Sequence, residues 1–570
     1  NWGTIPAQLT DLSLDIRADS FAIRFTSEHQ QDDIHFVWKG MVTGSSDNTL
    51  RFDFSGTSLT SFRRNRIGFC VLHPMTLAGA SCTIEHVDGR RTVSAFPSAI
   101  APHQPFFDIR AITHDVMPGV QVEVRMDGDT FEMEDQRNWT DASYKTYCTP
   151  LNLPFPVEVA AGSTIHQTIT VRLIGKPTDL SISDSSPTLH IDLDSTRPLP
   201  SIGLGRSSHV EPFSPREIAR LRALNLAHIR HDVHFEEPTN AKLTHAIREA
   251  RALGCRLELA LHLSDAPEAE LRQIQAIVSA HDAPVARWLI LKRNAKSTPA
   301  ELIALARDVL GARTAPIGAG TNGYFTQVNR ERPSTDQLDV LVYSLNPQVH
   351  AFDNASLVET LPTQRVTVDS ARAFAGGAQI AVSPITLKIR WNPDAIAPDV
   401  SSPGTLPRQV DRRQMSLFGA AWTLGSIKAL SVADSLTYYE TVGWLGVMER
   451  ETGSPVPALF PSVAGGVFPM YHVFADVGEF TGGSVLDAVS TDPLRFDGLV
   501  LRRGDALRVL AANYTPERQT IRISGLSGSF AARWLDETSA DMAIRTPEVF
   551  RTAPKTRRDT VDGCLDVELL

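Results

Sequence analysis

Cysteine is scarce in this chain, and its spacing argues against the usual cysteine-based sites. The cysteines are Cys70, Cys82, Cys148, Cys255 and Cys564, and no two of them form a C-x-x-C motif. Zinc sites and disulfide frameworks need closer or paired cysteines, so we expect free thiols in a reducing compartment. No segment approaches the roughly 18 consecutive apolar residues that a membrane-spanning helix requires. We therefore expect a cytoplasmic protein without a membrane span.

Basic residues are not in excess either. Lys and Arg number 55 against 65 Asp and Glu, which gives a formal net charge of -10. This balance gives no reason to expect nucleic acid or an anionic membrane as a partner. No G-x-G-x-x-G follows the first predicted strand of the central region, so nucleotide binding has no support. Small-molecule or carbohydrate chemistry remains open, and the oligomeric state is not determined.

The length of 570 residues predicts two to four domains. Residues 1–175 consist of short alternating runs separated by polar turns, which predicts an N-terminal β-sandwich. Residues 484–570 return to the same pattern and predict a small C-terminal β-sandwich. Residues 176–198 are rich in Pro, Ser and Asp, and we interpret them as a linker, with a crossing strand as the alternative.

Between these regions, residues 199–483 alternate strand, loop and helix. The predicted strands are 200–206, 228–235, 256–262, 287–293, 316–320, 338–345, 385–391 and 435–440. Eight strands over about 280 residues are typical of a (β/α)₈ TIM barrel. The predicted fold class is therefore multidomain α/β plus β, with a central TIM barrel between two β-sandwiches.

The polar residues at the carboxyl ends of these strands are the candidate site, because barrel enzymes place their active sites there. Glu440 ends the eighth strand beside Tyr438 and Tyr439, with Trp444 four residues later. A carboxylate in an aromatic-lined pocket suits a general base. The structural alternative is a rim carboxylate that an arginine holds.

Two further groups have competing interpretations. Glu258 is either catalytic or the partner of Lys388 in a buried ion pair. His228, His231 and His234 suggest a metal site, but side chains alternate along a strand, so His231 points away from the other two. We expect no metal and no cofactor.

A glycoside hydrolase needs two carboxylates across the scissile bond. The best-known barrel glycosidases carry them at the ends of strands four and seven. Here those positions read KRN (292–294) and RWN (390–392), which are basic and neutral. The usual pair is absent.

Four sequence segments of the chain are distinctive. They are RNRIGFCVLHP (64–74), CTIEHVDG (82–89), FEMEDQRNWTDASYKTYCTP (131–150) and SLNPQVHAFD (344–353). Together they resemble the D-apionate lactonase family of apiose catabolism. The resemblance implies an N-terminal β domain, a TIM barrel and a C-terminal β domain. It also implies hydrolysis of D-apionolactone to D-apionate inside the cell, with a sugar lactone or sugar acid as partner.

Lactone opening needs an activated water, donors for the oxyanion and a proton for the departing hydroxyl. Our hypothesis gives Glu440 the base role and His231 or His350 the proton-donor role. The remaining predicted substrate contacts are Arg230, Asp232, Asn322, Asn346, Asp353, Lys388, Arg390 and Trp444. The alternatives are a glycoside hydrolase acting on apiose- or uronate-containing glycans, and a non-catalytic carbohydrate-binding protein.

The distinctive segment 131–150 has two interpretations. Its charged and aromatic residues could connect the sandwich to the barrel, with Arg137 and Asp141 as an internal pair. Alternatively, Asp135, Arg137, Asn138 and Lys145 reach over the barrel mouth. We favour the structural interpretation.

Overall fold

The computed structural model describes residues 4–176, 186–209, 211–311, 315–392 and 404–569. The chain divides into two compact units. Unit 1 comprises Asn1–Arg137 and Ala142–Ser183, and unit 2 comprises Asn138–Asp141 and Asp184–Leu570. The short segment Asn138–Asp141 thus groups with the second unit, although residues of the first unit flank it on both sides.

Unit 1 is built from antiparallel strands. They are β1 (Gln8–Ile16), β2 (Ser20–Gln31), β3 (Ile34–Ser45), β4 (Thr49–Ser58), β5 (Phe62–Arg64), β6 (Cys70–Pro74), β7 (Ser81–His86), β8 (Arg91–Ala95), β9 (Phe106–Met117), β10 (Val120–Asp127), β11 (Phe131–Asp135), β12 (Ser143–Tyr147), β13 (Val157–Val159) and β14 (Thr164–Gly175). Twelve of them join one sheet, and β5 pairs with β13. The β-rich N-terminal region is confirmed.

Strand β10 shows why these segments form sheet. Val120, Val122, Val124 and Met126 are buried, while the residues between them are more exposed. Successive side chains of a strand point to opposite faces, so this alternation buries one face and leaves the other polar. The buried face contributes to an apolar core with residues of the neighbouring strands, including Ile112.

Unit 2 contains the remaining strands and the α-helices. The strands are β15 (Thr188–Pro198), β16 (Ser201–Gly205), β17 (His228–His234), β18 (Arg256–Leu263), β19 (Val285–Lys292), β20 (Ile317–Gly320), β21 (Val340–Leu345), β22 (Gln379–Ile385), β23 (Ser435–Glu440), β24 (Ser484–Ser490), β25 (Phe496–Arg503), β26 (Ala506–Asn513), β27 (Gln519–Ser524), β28 (Ser529–Ala532), β29 (Thr556–Asp559) and β30 (Cys564–Leu569). The helices are α1 (Pro215–Arg222), α2 (Thr239–Leu253), α3 (Pro267–Ala280), α4 (Ala300–Leu310), α5 (Phe325–Arg330), α6 (Asn354–Glu359), α7 (Leu361–Arg372), α8 (Leu417–Leu430), α9 (Met470–Gly478), α10 (Ala540–Arg545) and α11 (Pro547–Thr552). Strands β16 to β23 close into a barrel.

The predicted barrel is confirmed, but its seventh strand was placed six residues too late. The strand is Gln379–Ile385, so Lys388 and Arg390 lie in the loop that follows it. The alternation of apolar and basic residues over 385–391 imitates a half-buried strand. The real strand is buried almost throughout and reads as an apolar run, as parallel strands covered on both faces do.

The second half of the predicted linker is also a strand. Thr188–Pro198 pairs antiparallel with β24 and parallel with β27 in a six-stranded sheet at the C-terminal end of the chain. Leu189 and Ile191 are buried in the core of that sheet. The many Ser, Thr and Asp residues of this segment hid its short apolar alternation. Residues 177–185 lie outside the described part of the chain.

The interior of the barrel has an apolar side and a polar side. One side is an apolar cluster of Ala260, Leu289, Leu291, Val340, Val342 and Ala381. On the other side, β17 directs His228, Arg230 and Asp232 inward, where they meet polar residues of neighbouring strands. Because the first side is apolar, a polar ligand finds its partners among the inward polar residues, which include Arg230, Asp232 and His262. Among the described residues, no helix is both long and apolar enough to cross a membrane.

Candidate active site

A group of polar side chains lies at the carboxyl ends of the barrel strands. We call Arg230, Asp232, His262, Asn322 and Ser383 the mouth cluster. They come from β17, β18, β22 and the loop after β20. Hydrogen bonds connect all of them, with Arg230 in the centre.

The Arg230 guanidinium is almost fully buried and is held from three sides. It donates to Asp232 Oδ1 at 2.6 Å and to Asp232 Oδ2 at 3.2 Å. It also donates to the Ser383 carbonyl oxygen at 2.7 Å and to Asn322 Oδ1 at 2.6 Å. With its donors used in this way, Arg230 fixes the cluster rather than meeting a substrate directly.

Asp232 and His262 form a hydrogen-bonded pair beside this arginine. His262 Nε2 donates to Asp232 Oδ1 at 2.9 Å. Burial alone would raise the pKa of the Asp232 carboxyl, but Arg230 and His262 hold that pKa well below its usual range. Asp232 is therefore an acceptor, so the proton of this bond belongs to His262 Nε2. Nδ1 is then the ring nitrogen that can take a proton from water.

His234 completes the environment of His262. The two rings stack with their centroids 4.3 Å apart and 17° between their planes. Burial and the neighbouring His262 lower the pKa of His234, which favours its neutral form. The stack restricts rotation of the His262 ring, and Asp232 fixes the identity of its protonated nitrogen.

A second set of charges lies deeper in the same barrel, and we call it the lower cluster. Glu258 meets Arg287 at 3.3 Å and His228 at 3.8 Å, and it accepts from Thr437 Oγ1 at 3.1 Å. Burial would raise the pKa of Glu258, but His228, Arg287 and Arg230 together lower it. The predicted ion pair between Glu258 and Lys388 is wrong, because the Lys388 ammonium donates to the Val410 carbonyl oxygen at 3.2 Å.

Glu440 ends β23 and is almost completely buried. Its Oε2 accepts from the Ser208 backbone N–H at 2.8 Å, and Arg390 Nη2 donates to Oε1 at 3.3 Å. Both oxygens thus have partners, which matches the arginine-held alternative. Gly205 permits this packing, because a Cβ there would lie 2.4 Å from the Tyr439 carbonyl oxygen and 3.6 Å from Arg390 Nη1.

The expected aromatic pocket around Glu440 is wrong. The Tyr438 hydroxyl bonds to Ser426 and the Tyr439 hydroxyl to Thr423, and both partners lie on α8. The two rings therefore face the helix layer. Trp444 is half-buried in the loop that follows the strand.

His231 and Asp353 are two of the predicted site residues that lie outside the mouth cluster. His231 is an outward residue of β17, between the inward Arg230 and Asp232, and burial with the nearby Arg206 lowers its pKa to about 3. It faces the helices because side chains alternate along the strand. Asp353 caps α6: its Oδ1 accepts from the Ser356 backbone N–H at 2.9 Å. Neither is placed for a role with substrate.

The loop after β21 carries the remaining candidates. Asn346 Oδ1 accepts from the Gln348 backbone N–H at 3.3 Å, so its side chain shapes the loop. His350 is exposed and bonds through Nδ1 to Asp141 Oδ2 at 2.6 Å. The predicted Arg137–Asp141 pair is wrong, because Arg137 binds Asp135 at 2.7 Å instead.

Known proteins resemble this chain over nearly its whole length. It matches three domain models, described as the N-terminal domain (residues 1–176), the TIM barrel domain (202–482) and the C-terminal immunoglobulin-like domain (493–562) of D-apionate lactonase. A curated D-apionate lactonase from Brucella anthropi is 30% identical over 551 residues, which cover 92% of this chain and 88% of that protein. The chain belongs to the D-apionate lactonase family.

Membership in the D-apionate lactonase family confirms the resemblance that the four distinctive segments indicated, and it places the chain among lactone hydrolases. Solved structures with a similar fold include AbfB, a family 51 α-L-arabinofuranosidase from Bifidobacterium longum (TM-score 0.46, 13% identity, 68% of this chain and 98% of that chain). A GH30 endoxylanase from Clostridium papyrosolvens has a TM-score of 0.45 at 10% identity, over 68% of this chain and 97% of that chain.

In this D-apionate lactonase family member, sequence reasoning missed His262 and Ser383 as parts of the site. A signal for His262 was present: it lies four residues after the inward Glu258, hence on the same face of β18. Ser383 could not be found, because the seventh strand was placed after it. Among the described residues, no group of three or more His, Cys, Asp or Glu side chains is arranged to hold a metal ion.

Proposed function

We propose that this protein hydrolyses a sugar-acid lactone, and that the substrate is D-apionolactone, opened to D-apionate in apiose catabolism. The observation that carries the proposal is the Asp232–His262 pair at the mouth of the barrel. The curated relative is named D-apionate lactonase, which supports the choice of lactone.

The Asp232–His262 pair suits activation of water. A water on the acyl carbon loses its proton to His262 Nδ1 while its oxygen forms the new C–O bond. Asp232 stabilises the resulting imidazolium, because its carboxylate faces the other ring nitrogen at 2.9 Å. Asp232 and His262 retain 22% and 11% of their side-chain exposure, so substrate can reach them.

The tetrahedral oxyanion needs fixed donors. Arg390 is partly exposed at the mouth, where Glu440 orients its guanidinium. Asn322 already accepts from Arg230 through Oδ1, and its amide nitrogen is a hydrogen-bond donor. We assign the oxyanion contact to Arg390 and a hydroxyl contact to Asn322. Lys388 and Trp444, in the loops after β22 and β23, are further substrate contacts in this proposal.

Collapse of the intermediate breaks the ring C–O bond, and the departing oxygen needs a proton. We assign this proton to His350, whose side chain is 39% exposed in the loop after β21. The overall reaction converts the lactone and one water into the hydroxy acid. His262 afterwards releases its proton to solvent, and His350 takes one up.

The experiment offers the purified protein D-apionolactone, a second aldonolactone and a chromogenic glycoside, each compared with its spontaneous rate. We expect base uptake from D-apionolactone well above the spontaneous rate and no release of the chromophore. Release of the chromophore alone would instead support a glycoside hydrolase. The described residues after β19 and β22 argue against that outcome, because 293–299 and 386–392 contain no carboxylate. Binding without any turnover would support a carbohydrate-binding protein.

A further inference from the structure

The segment Asn138–Asp141 contacts helix α5 and the loop after β21 within unit 2. Thr140 Oγ1 donates to the Asn346 carbonyl oxygen at 3.0 Å, and Asn138 Oδ1 accepts from Asn329 at 3.0 Å. Asp141 binds His350. We propose that Asp141 is the positioning residue for His350, which it holds as the proton donor to the leaving ring oxygen. This inference rests on the proposed function.

The geometry of the pair defines which nitrogen acts. Asp141 Oδ2 lies 2.6 Å from His350 Nδ1. A carboxylate can only accept, so Nδ1 carries the proton of this bond and Nε2 is the nitrogen that exchanges a proton with substrate. The Asp141 side chain is 14% exposed and that of His350 is 39% exposed. The acceptor is thus sheltered while the ring reaches solvent.

Trp139 restricts the orientation of the same ring. Its indole meets the His350 imidazole edge to face, with centroids 5.7 Å apart. The guanidinium of Arg330, which ends α5, lies 5.2 Å from the centroid of the Trp139 ring. His350 is therefore fixed by one hydrogen bond and one aromatic contact from a segment that is 209 residues away in sequence.

In the proposed step, protonated His350 gives its Nε2 proton to the ring oxygen as the acyl C–O bond breaks. The leaving group departs as a neutral hydroxyl, and the imidazole becomes neutral. Asp141 stays ionised throughout and keeps the Nδ1 proton. The role of Asp141 is to hold the ring and to stabilise its charged form before transfer.

The first test compares Asp141→Asn with the wild-type protein on D-apionolactone and on the matching thiolactone. We expect kcat on the oxygen lactone to fall by about 10-fold to 10²-fold, with KM changed less than about threefold. Turnover of the thiolactone should change little, since a thiol with a pKa of about 8.5 leaves without a proton. Equal losses on both substrates, or no loss on either, would overturn the inference.

The second test is a double-mutant cycle. His350→Gln should lower kcat at least as much as Asp141→Asn does, and adding Asp141→Asn to His350→Gln should change kcat less than about twofold. Additive losses would show that Asp141 acts elsewhere and would overturn the inference.

Asp353→Asn is the matched control, because it makes the same Asp-to-Asn change in the loop after β21 that carries His350, at a helix cap where Asn serves as well as Asp. It should leave kcat unchanged, and thermal unfolding of each variant checks the fold. If the wild-type protein opens no lactone, the proposed function fails and this inference fails with it. If the wild-type protein is active and Asp141→Asn behaves like Asp353→Asn, only the positioning role fails.

Discussion

The same three kinds of side chain occur twice in this barrel, at two depths. The lower cluster combines Glu258, Arg287 and His228, and the mouth cluster combines Asp232, Arg230 and His262. The carboxylates sit on adjacent strands, both facing inward. Glu258 is fully buried, whereas the Asp232 side chain keeps 22% of its exposure. Exposure, rather than residue type, distinguishes the buried charges of the lower cluster from the mouth cluster that we propose as catalytic.

The two histidines show what depth does. Burial lowers the pKa of His228 to about 4, so it is neutral at physiological pH and bonds Thr437 at 2.7 Å. His262 lies against an ionised aspartate at the open end of the barrel, and its side chain keeps 11% of its exposure. A buried neutral histidine completes a packed interior. A histidine beside a carboxylate at the mouth can carry a proton.

The largest expected effect is on His262. His262→Gln should lower kcat on D-apionolactone by about 10³-fold, equivalent to about 4 kcal/mol of transition-state stabilisation, because His262 is the proposed acceptor of the water proton. Initial rates measured by base uptake give the value. His231→Gln is the control from the neighbouring strand and should keep near-normal turnover. A larger loss for His231 than for His262 would reverse our assignment of the two residues.

The next effect sharpens the difference between the clusters. Glu258→Gln should cost about 3 kcal/mol of unfolding free energy, because it leaves the Arg287 charge buried without its carboxylate. The folded fraction should keep kcat within about threefold. Urea unfolding and active-site titration measure the two quantities. Unchanged stability with a 10²-fold loss of kcat would instead make Glu258 catalytic.

The lower cluster should also impose a pH dependence on stability. The His228 pKa is about 4 in the folded chain and about 6.5 when unfolded, so below pH 6.5 the unfolded state binds more protons. Stability from this group is therefore present at neutral pH and lost as pH falls towards 4, by about 2 kcal/mol between pH 7 and pH 5. Unfolding free energies at these two pH values should differ less in His228→Gln. An equal difference in both proteins would contradict the prediction.

The smallest effect concerns Glu440. Glu440→Gln keeps an acceptor for the Ser208 N–H but removes the charge that orients Arg390. We expect kcat to fall by about fivefold to 10-fold, or about 1 kcal/mol, measured as for His262. A loss of 10²-fold or more would return the role of general base to Glu440 and reduce the mouth cluster to support.

Much of this protein could be predicted from its sequence. The alternation of apolar residues located the β regions and all the barrel strands except the seventh. The four distinctive segments indicated the family. The alternation of strand side chains predicted that His231 points away from His228 and His234, although the candidate site still included His231 beside Arg230 and Asp232. These are local properties, determined by neighbours within a few residues.

Only the tertiary structure decided which partners and how much exposure each candidate residue has. Glu258 and Asp232 both face the barrel interior, and their contacts are set by the register between strands once the barrel closes. The same holds for His350, whose partner Asp141 is 209 residues away, and for Glu440, whose oxygens are taken by Ser208 and Arg390. Partners, burial and pKa depend on long-range packing. The sequence therefore determined the scaffold and the candidates, and the packing selected among them.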